Sequence, residues 1–133
     1  MPRQKAISYK FLKDIEDNKI RLSEYKGKVI LLDFPPTWCP YCRRIRPFLE
    51  KIHDRYKKKD FVLLSIYIQE SKKKVKSYTE KYKIPYKVLL DEDGSVAESY
   101  GIVGVPTLIL VNKEGKIVCK QCRSADIMLE EMF

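Results

Sequence analysis

Long apolar runs are what this 133-residue chain lacks first. None approaches the ~18–20 residues that a membrane span requires, so no such span is expected. The opening Met1-Pro2-Arg3-Gln4-Lys5 has no apolar segment of the kind that defines a signal peptide. As written, the sequence reads as a cytoplasmic protein, or as an extracytoplasmic one if a leader has been removed from it. Histidine is nearly missing. The single one, His53, has no second imidazole with which to build a metal pair or a catalytic dyad, and is expected on the surface. Cysteine is scarce too: four residues are too few for a fold held together by a disulfide framework. Repeats and low-complexity stretches are absent, and 44% hydrophobic residues in 133 suit one domain with its own core. Residues 1–27 read as an N-terminal arm and 28–133 as that core. Acidic residues are outnumbered, 18 against 27 basic, for a formal charge of +9. A nucleic-acid surface would gather that charge on one face among stacking aromatics. Here it comes in bursts, Lys57-Lys58-Lys59 and Lys72-Lys73-Lys74, beside predicted helix ends. This reads as solvated surface with a preference for acidic partners, and no nucleic-acid partner is expected.

What is present is an alternation of strand and helix patterns. Ile7–Phe11 and Lys19–Leu22, joined through Asp17-Asn18, predict a short hairpin. Val29 to Phe34 is apolar on both faces and predicts a central strand covered twice. Ile45, Phe48, Leu49, Ile52 and Tyr56 recur at helical spacing and predict a helix over about 41–57, with Pro47 inside it. Phe61–Ile68 predicts a second strand, 71–82 a polar helix, and Lys87–Leu90 a short strand. A turn at Asp91–Gly94 and a brief helix at 96–100 follow. Thr107–Val111 and Lys116–Gln121, joined by Asn112-Lys113-Glu114-Gly115, predict an antiparallel hairpin, and a helix over 124–132 ends the chain. The expected fold is α/β: three layers around a central mixed sheet, helices on both faces, and an N-terminal hairpin extension.

The chemistry concentrates at Trp38-Cys39-Pro40-Tyr41-Cys42, between the central strand and the first helix. Unpaired N–H groups and the partial positive charge of a helix N-terminus stabilise a thiolate on the first cysteine. Cys39 is therefore the expected nucleophile and Cys42 the resolving thiol of a dithiol/disulfide exchange. The bland alternatives, a structural pair or half of a zinc knuckle, fit the strand-to-helix junction less well. Arg43, Arg44 and Arg46 are expected to add positive potential beside Cys39. Asp33 interrupts an otherwise apolar run, so burial should raise its pKa and suit it to accept the Cys42 proton.

Several of these residues coincide with one family. Trp38-Cys39-Pro40-Tyr41-Cys42 resembles the WCxxC of the thioredoxin superfamily, with Asp33 on its buried acid and Pro47 on its kinking proline. Gly104-Val105-Pro106-Thr107 is similar to its cis-proline loop. The Leu22–Phe34 segment, together with region 86–118, resembles the TlpA/ResA-type thiol-disulfide oxidoreductases over about residues 7–120. The cytochrome-maturation members carry an acid where this chain has Ile45, and some have a glutamate at the place of Thr107. The resemblance implies a cis bond before Pro106, a Val105 backbone that pairs with extended substrate, and Trp38, Pro40 and Tyr41 shaping the surface around the thiol. It implies a disulfide reductase or isomerase acting on protein disulfides, with an upstream electron donor. No cofactor or metal beyond the Cys39–Cys42 pair is expected, and the chain is expected to be a monomer.

The second pair, Cys119-Lys120-Gln121-Cys122, fits no part of that pattern. Pairing Val111 with Lys116 would put Cys119 opposite Leu108 and Cys122 opposite Val105, beside the site. Residues three apart on an extended strand lie ~10 Å apart on opposite faces. A disulfide between them would need the strand to end early, since its Cα atoms lie within ~6.8 Å. Inert thiols, an auxiliary redox relay through Cys122, and a four-cysteine zinc site all remain open. Two other functions compete with disulfide exchange. One is a peroxiredoxin-type peroxidase, for which Thr37 stands two residues before Cys39 rather than three. The other is a metal-binding or chaperone-like module without turnover.

Overall fold

The computed structural model describes residues 10–35, 37, 40–102, 107–120 and 124–133, and of residues 40–42 the backbone only. The chain runs β1 (Phe11–Asp14), β2 (Lys19–Arg21), a 3-10 turn (Leu22–Tyr25), β3 (Val29–Phe34), α1 (Pro40–Tyr56) and β4 (Phe61–Ile68). It continues through α2 (Lys72–Lys81), β5 (Lys87–Asp91), α3 (Ser95–Ser99), β6 (Thr107–Val111), β7 (Ile117–Lys120) and α4 (Ala125–Met132). The strands form one mixed sheet in the order β2-β1-β5-β4-β3-β6-β7. The central strand is β3, parallel to β4 on one side and antiparallel to β6 on the other. All six of its residues are buried, because each of its faces is apolar and each is covered.

Alternation along the strands divides the core in two. Val29, Leu31, Leu63 and Leu110 meet Leu49, Ile52 and Tyr56 of α1 and Ala125 and Leu129 of α4. Ile30, Leu32, Phe34, Leu64, Ile66 and Ile109 meet Leu22 of the 3-10 turn and Val96, Ala97 and Tyr100 around α3. Tyr67, Val88 and Leu90 extend the first face under Val75 and Tyr78 of α2. Short polar caps fix the helix starts. Ser71 Oγ accepts from the Lys74 N–H at 3.2 Å, and the buried Asp91 carboxylate accepts from Val96 and Ala97 N–H at 3.2 and 2.8 Å.

Three local expectations need correction. The described part of the N-terminal hairpin has its strands at Phe11–Asp14 and Lys19–Arg21, and Leu22 begins the 3-10 turn instead of ending a strand. The Asp14 carboxylate sets that register, accepting from the N–H groups of Glu16 and Asn18 across the turn. In the second hairpin Val111 pairs with Ile117 and Leu110 with Cys119, across a bulge. Asn112 Oδ1 ties down the N–H groups of Glu114 and Lys116, and the extra residue beyond this turn shifts the ladder. Cys119 consequently faces Leu110, not Leu108, further from the site edge than the sequence suggested. His53 also differs: it is half-buried, with its ring edge-on to Tyr86 at 5.9 Å, and burial lowers its pKa.

Candidate active site

Asp33 sits next to last on β3 and is 2% exposed. It shares its sheet face with Val29 and Leu31, the face that α1 covers. Its strand neighbour Ser65 on β4 donates Oγ–H to Asp33 Oδ2 at 3.1 Å. Oδ1 is buried and has no hydrogen-bond partner among the described residues. Desolvation dominates here: burial pushes the Asp33 pKa up to about 7, against a smaller opposing effect of the Ser65 hydroxyl. Tyr67 and Tyr86 lie in the same region, and burial, followed by the Asp33 charge, holds both phenols protonated well beyond their ordinary range. A carboxyl group poised near neutrality, with one oxygen unsatisfied, therefore lies under the helix that begins at Pro40.

The approach to that helix is held from across the sheet. Thr37 is buried; its N–H donates to Glu70 Oε1 at 2.9 Å and its hydroxyl to Oε2 at 2.5 Å. Glu70 lies between β4 and α2, its side chain 8% exposed, and Lys74 Nζ stands 3.4 Å from Oε2. A two-point carboxylate clamp thus fixes the backbone two residues before Cys39. On α1, Arg46 is held by neighbours on its own helix and on α2 and beyond. Its guanidinium carbon stacks 4.3 Å from the Tyr82 ring centre, Nη1 donates to Tyr78 Oη at 3.0 Å, and Nε lies 3.7 Å from Glu50. Arg43 and Arg44 are exposed on the first turns of α1.

Of the residues singled out in the sequence, Asp33 occupies the expected place at the carboxyl end of a central strand. Pro40, Tyr41 and Cys42 form the first turn of α1, and their side chains lie outside the description. Trp38, Cys39, Val105, Pro106 and Cys122 lie outside the described residues. Cys119 is half-buried against the α1/α4 side of the sheet and is disulfide-bonded. An inert free thiol at this position is therefore ruled out. An oxidised Cys119 also has no thiolate to give a four-cysteine zinc site. Ser65 and Glu70 were not anticipated. Ser65 carried a signal as a lone hydroxyl inside the apolar Phe61–Ile68 strand. Glu70 carried none, because its partner is 33 residues away.

Comparison with known proteins places this geometry in context. A family model described as the AhpC/TSA family matches residues 2–120. The thiol-disulfide oxidoreductase ResA of Bacillus thuringiensis subsp. konkukian is 31% identical over 105 residues, covering 79% of this chain and 61% of that protein. The chain therefore spans about three fifths of the length of the curated relatives it matches. The crystal structure of the thioredoxin domain of a Bacteroides vulgatus thiol-disulfide oxidoreductase superposes with a TM-score of 0.86 at 31% identity, covering 99% of this chain and 98% of that one. The solution structure of a thiol:disulfide interchange protein from Bacteroides sp. gives 0.84 at 32% identity, covering 100% and 90%.

Proposed function

The chain belongs to the AhpC/TSA family and has a thioredoxin-like fold, and on that premise we propose that it is a thiol-disulfide oxidoreductase of protein substrates. The single observation that carries this reading is Asp33: buried, half-satisfied, titrating near neutrality, at the carboxyl end of the strand that leads to Cys39 and Cys42. Cys39, as thiolate, attacks one sulfur of a substrate disulfide. A mixed disulfide forms and one substrate thiolate leaves. Asp33 takes the proton of Cys42, whose thiolate attacks the Cys39 sulfur and releases the second substrate thiolate. The two electrons now reside in the substrate dithiol, and the Cys39–Cys42 disulfide awaits a dithiol donor. Trp38, Pro40, Tyr41, Val105 and Pro106 form the substrate-facing surface in this reading. No cofactor takes part, the protein acts as a monomer, and its partners are protein disulfides and the donor. The Pro40-Tyr41 pair between the cysteines suits a potential between about −200 and −270 mV.

The Cys119 disulfide must not draw on these two cysteines. Cys119 pairs with Leu110, whose β3 partner is Leu31, two strand spacings or ~10 Å away. Cys39 and Cys42 come five and eight residues after Phe34, the last residue of β3. We infer that Cys122, three residues on, is the partner of Cys119 and that the Cys39–Cys42 pair stays available for exchange. Because such a disulfide is rare in a reducing cytosol, we place the working protein in an oxidising compartment. Among the described residues no helix is long and apolar enough to cross a membrane. The peroxidase alternative is disfavoured on a specific contact: the Thr37 hydroxyl is committed to Glu70 and is not available to a peroxide.

The test is a Cys42→Ser variant, which should accumulate mixed disulfides through Cys39 that a reductant dissolves, while the wild type reduces insulin. Failure to trap any protein, together with wild type that leaves insulin intact, overturns the proposal. Rapid peroxide consumption with a dithiol donor would favour the peroxidase.

A further inference from the structure

Beside the clamped Thr37 a groove of about 580 Å³ opens between the start of α1 and the exposed face of α2. Its walls include Thr37, Arg43, Lys73, Lys74, Tyr78 and Lys81. In sequence, Thr37 precedes Cys39 by two residues and Arg43 directly follows Cys42, so the groove is lined by residues that flank the redox motif on both sides. Resting on the oxidoreductase reading, we propose that this groove docks an acidic segment of the substrate protein next to its disulfide.

The charges on the walls support that occupant. Glu70, the carboxylate at this edge, is spent on Thr37 and Lys74. Among the described residues Arg43, Lys73 and Lys81 have no carboxylate partner, and all three are exposed. Several cations converge on one concave surface without internal neutralisation, which is an arrangement that selects and steers an anionic partner. The lysine stems also give a segment's side chains apolar wall to lie against. A nucleic acid would want open aromatic faces for stacking. Here Tyr78 packs on Tyr67 and Tyr82 at 6.2 and 4.8 Å, and Tyr82 is covered by Arg46. The aromatic surface is consumed within the fold, which leaves the groove to a carboxylate-rich peptide.

The experiment compares two disulfide peptides of equal length, one with aspartates and glutamates flanking the disulfide and one with serines and asparagines. The ratio of their kcat/KM values is read for wild type, for Lys73→Glu/Lys81→Glu, and for Lys51→Glu/Lys58→Glu, which changes net charge equally but away from the groove. Wild type should favour the acidic peptide by about tenfold at low ionic strength, with the preference shrinking as salt rises. The groove variant should bring the ratio to about one, and the remote variant should keep it. Equal kcat/KM for both peptides in wild type, or equal losses of preference in the two variants, overturns the proposal while leaving disulfide exchange intact. Exchange with neither peptide instead removes the oxidoreductase reading itself. Tighter binding of a short single-stranded DNA than of the acidic peptide at physiological salt would assign the groove to nucleic acid and also overturn it.

Discussion

A carboxylic acid inside a hydrophobic layer is useful only if something nearby needs a proton held or released at neutral pH. Asp33 meets that condition through burial, with Ser65 bonding one oxygen and the other without a partner among the described residues. In Asp33→Asn the amide keeps the shape and the Ser65 contact but has no basic oxygen. The attack on substrate should survive, because it depends on Cys39 and the helix terminus, whereas the resolving step should slow by about 10–100-fold near pH 7. Well above the ordinary thiol pKa of ~8.5 Cys42 ionises unaided, and the two proteins should converge. Stopped-flow decay of a Cys39 mixed disulfide, followed from neutral to alkaline pH, separates these regimes. Equal decay rates at pH 7 would remove Asp33 as the proton acceptor.

At the scale of elements, segments remote in sequence hold the site. The Glu70 clamp ties the segment before α1 to the start of α2, so Glu70→Ala strands a buried N–H and a buried hydroxyl of Thr37. The expected cost is about 1–3 kcal/mol in a urea melt, with slower alkylation of Cys39 as Thr37, two residues before it, loses its anchor. The Cys119 disulfide makes a different contribution. A loop of three or four residues yields about 2 kcal/mol in the chain-entropy account, so Cys119→Ser/Cys122→Ser should lose about that much stability yet still reduce insulin. Loss of insulin reduction would show the second pair to be part of the electron path. These contacts also mark where sequence reading ends. Phe61–Ile68 and Thr107–Val111 were legible to the residue, because buried strands are written as largely apolar runs. Asp33 was legible for the same reason, as the exception within one. The β7 register was not, since a bulge leaves no trace in apolar periodicity. Nor was Glu70, whose role exists only after two distant segments meet.

For the whole molecule, two buried acids at opposite parts of the sheet give the stability opposite dependences on pH. Asp14 joins the N-terminal hairpin to the β5 edge, accepting from Lys87 Nζ at 2.9 Å and Asn18 Nδ2 at 3.0 Å. Burial pushes its pKa up, but these donors outweigh burial and hold it far below the usual carboxylate range. A lowered folded-state pKa means stability that is present above the unfolded value of about 4 and lost as pH falls below it. Asp33 is the reverse. Its folded pKa of about 7 exceeds the unfolded value, so the native state holds the extra proton from about pH 4 to about pH 7. Its burden on stability is nil below that window and grows through it to as much as about 4 kcal/mol, then stays constant. From about pH 5 to about pH 8, then, Asp14 contributes a fixed amount while Asp33 supplies the falling slope, against a smaller rise below about pH 6.5 from His53, whose pKa burial lowers. Asp14→Ala should lower the urea midpoint by a constant amount across that interval, worth about 2 kcal/mol. Asp33→Asn should flatten the profile and exceed wild type most at the alkaline end. A wild-type midpoint that rises between these pH values, or an Asp33→Asn profile parallel to it, would mean that the carboxyl of Asp33 is not the proton holder its surroundings make it.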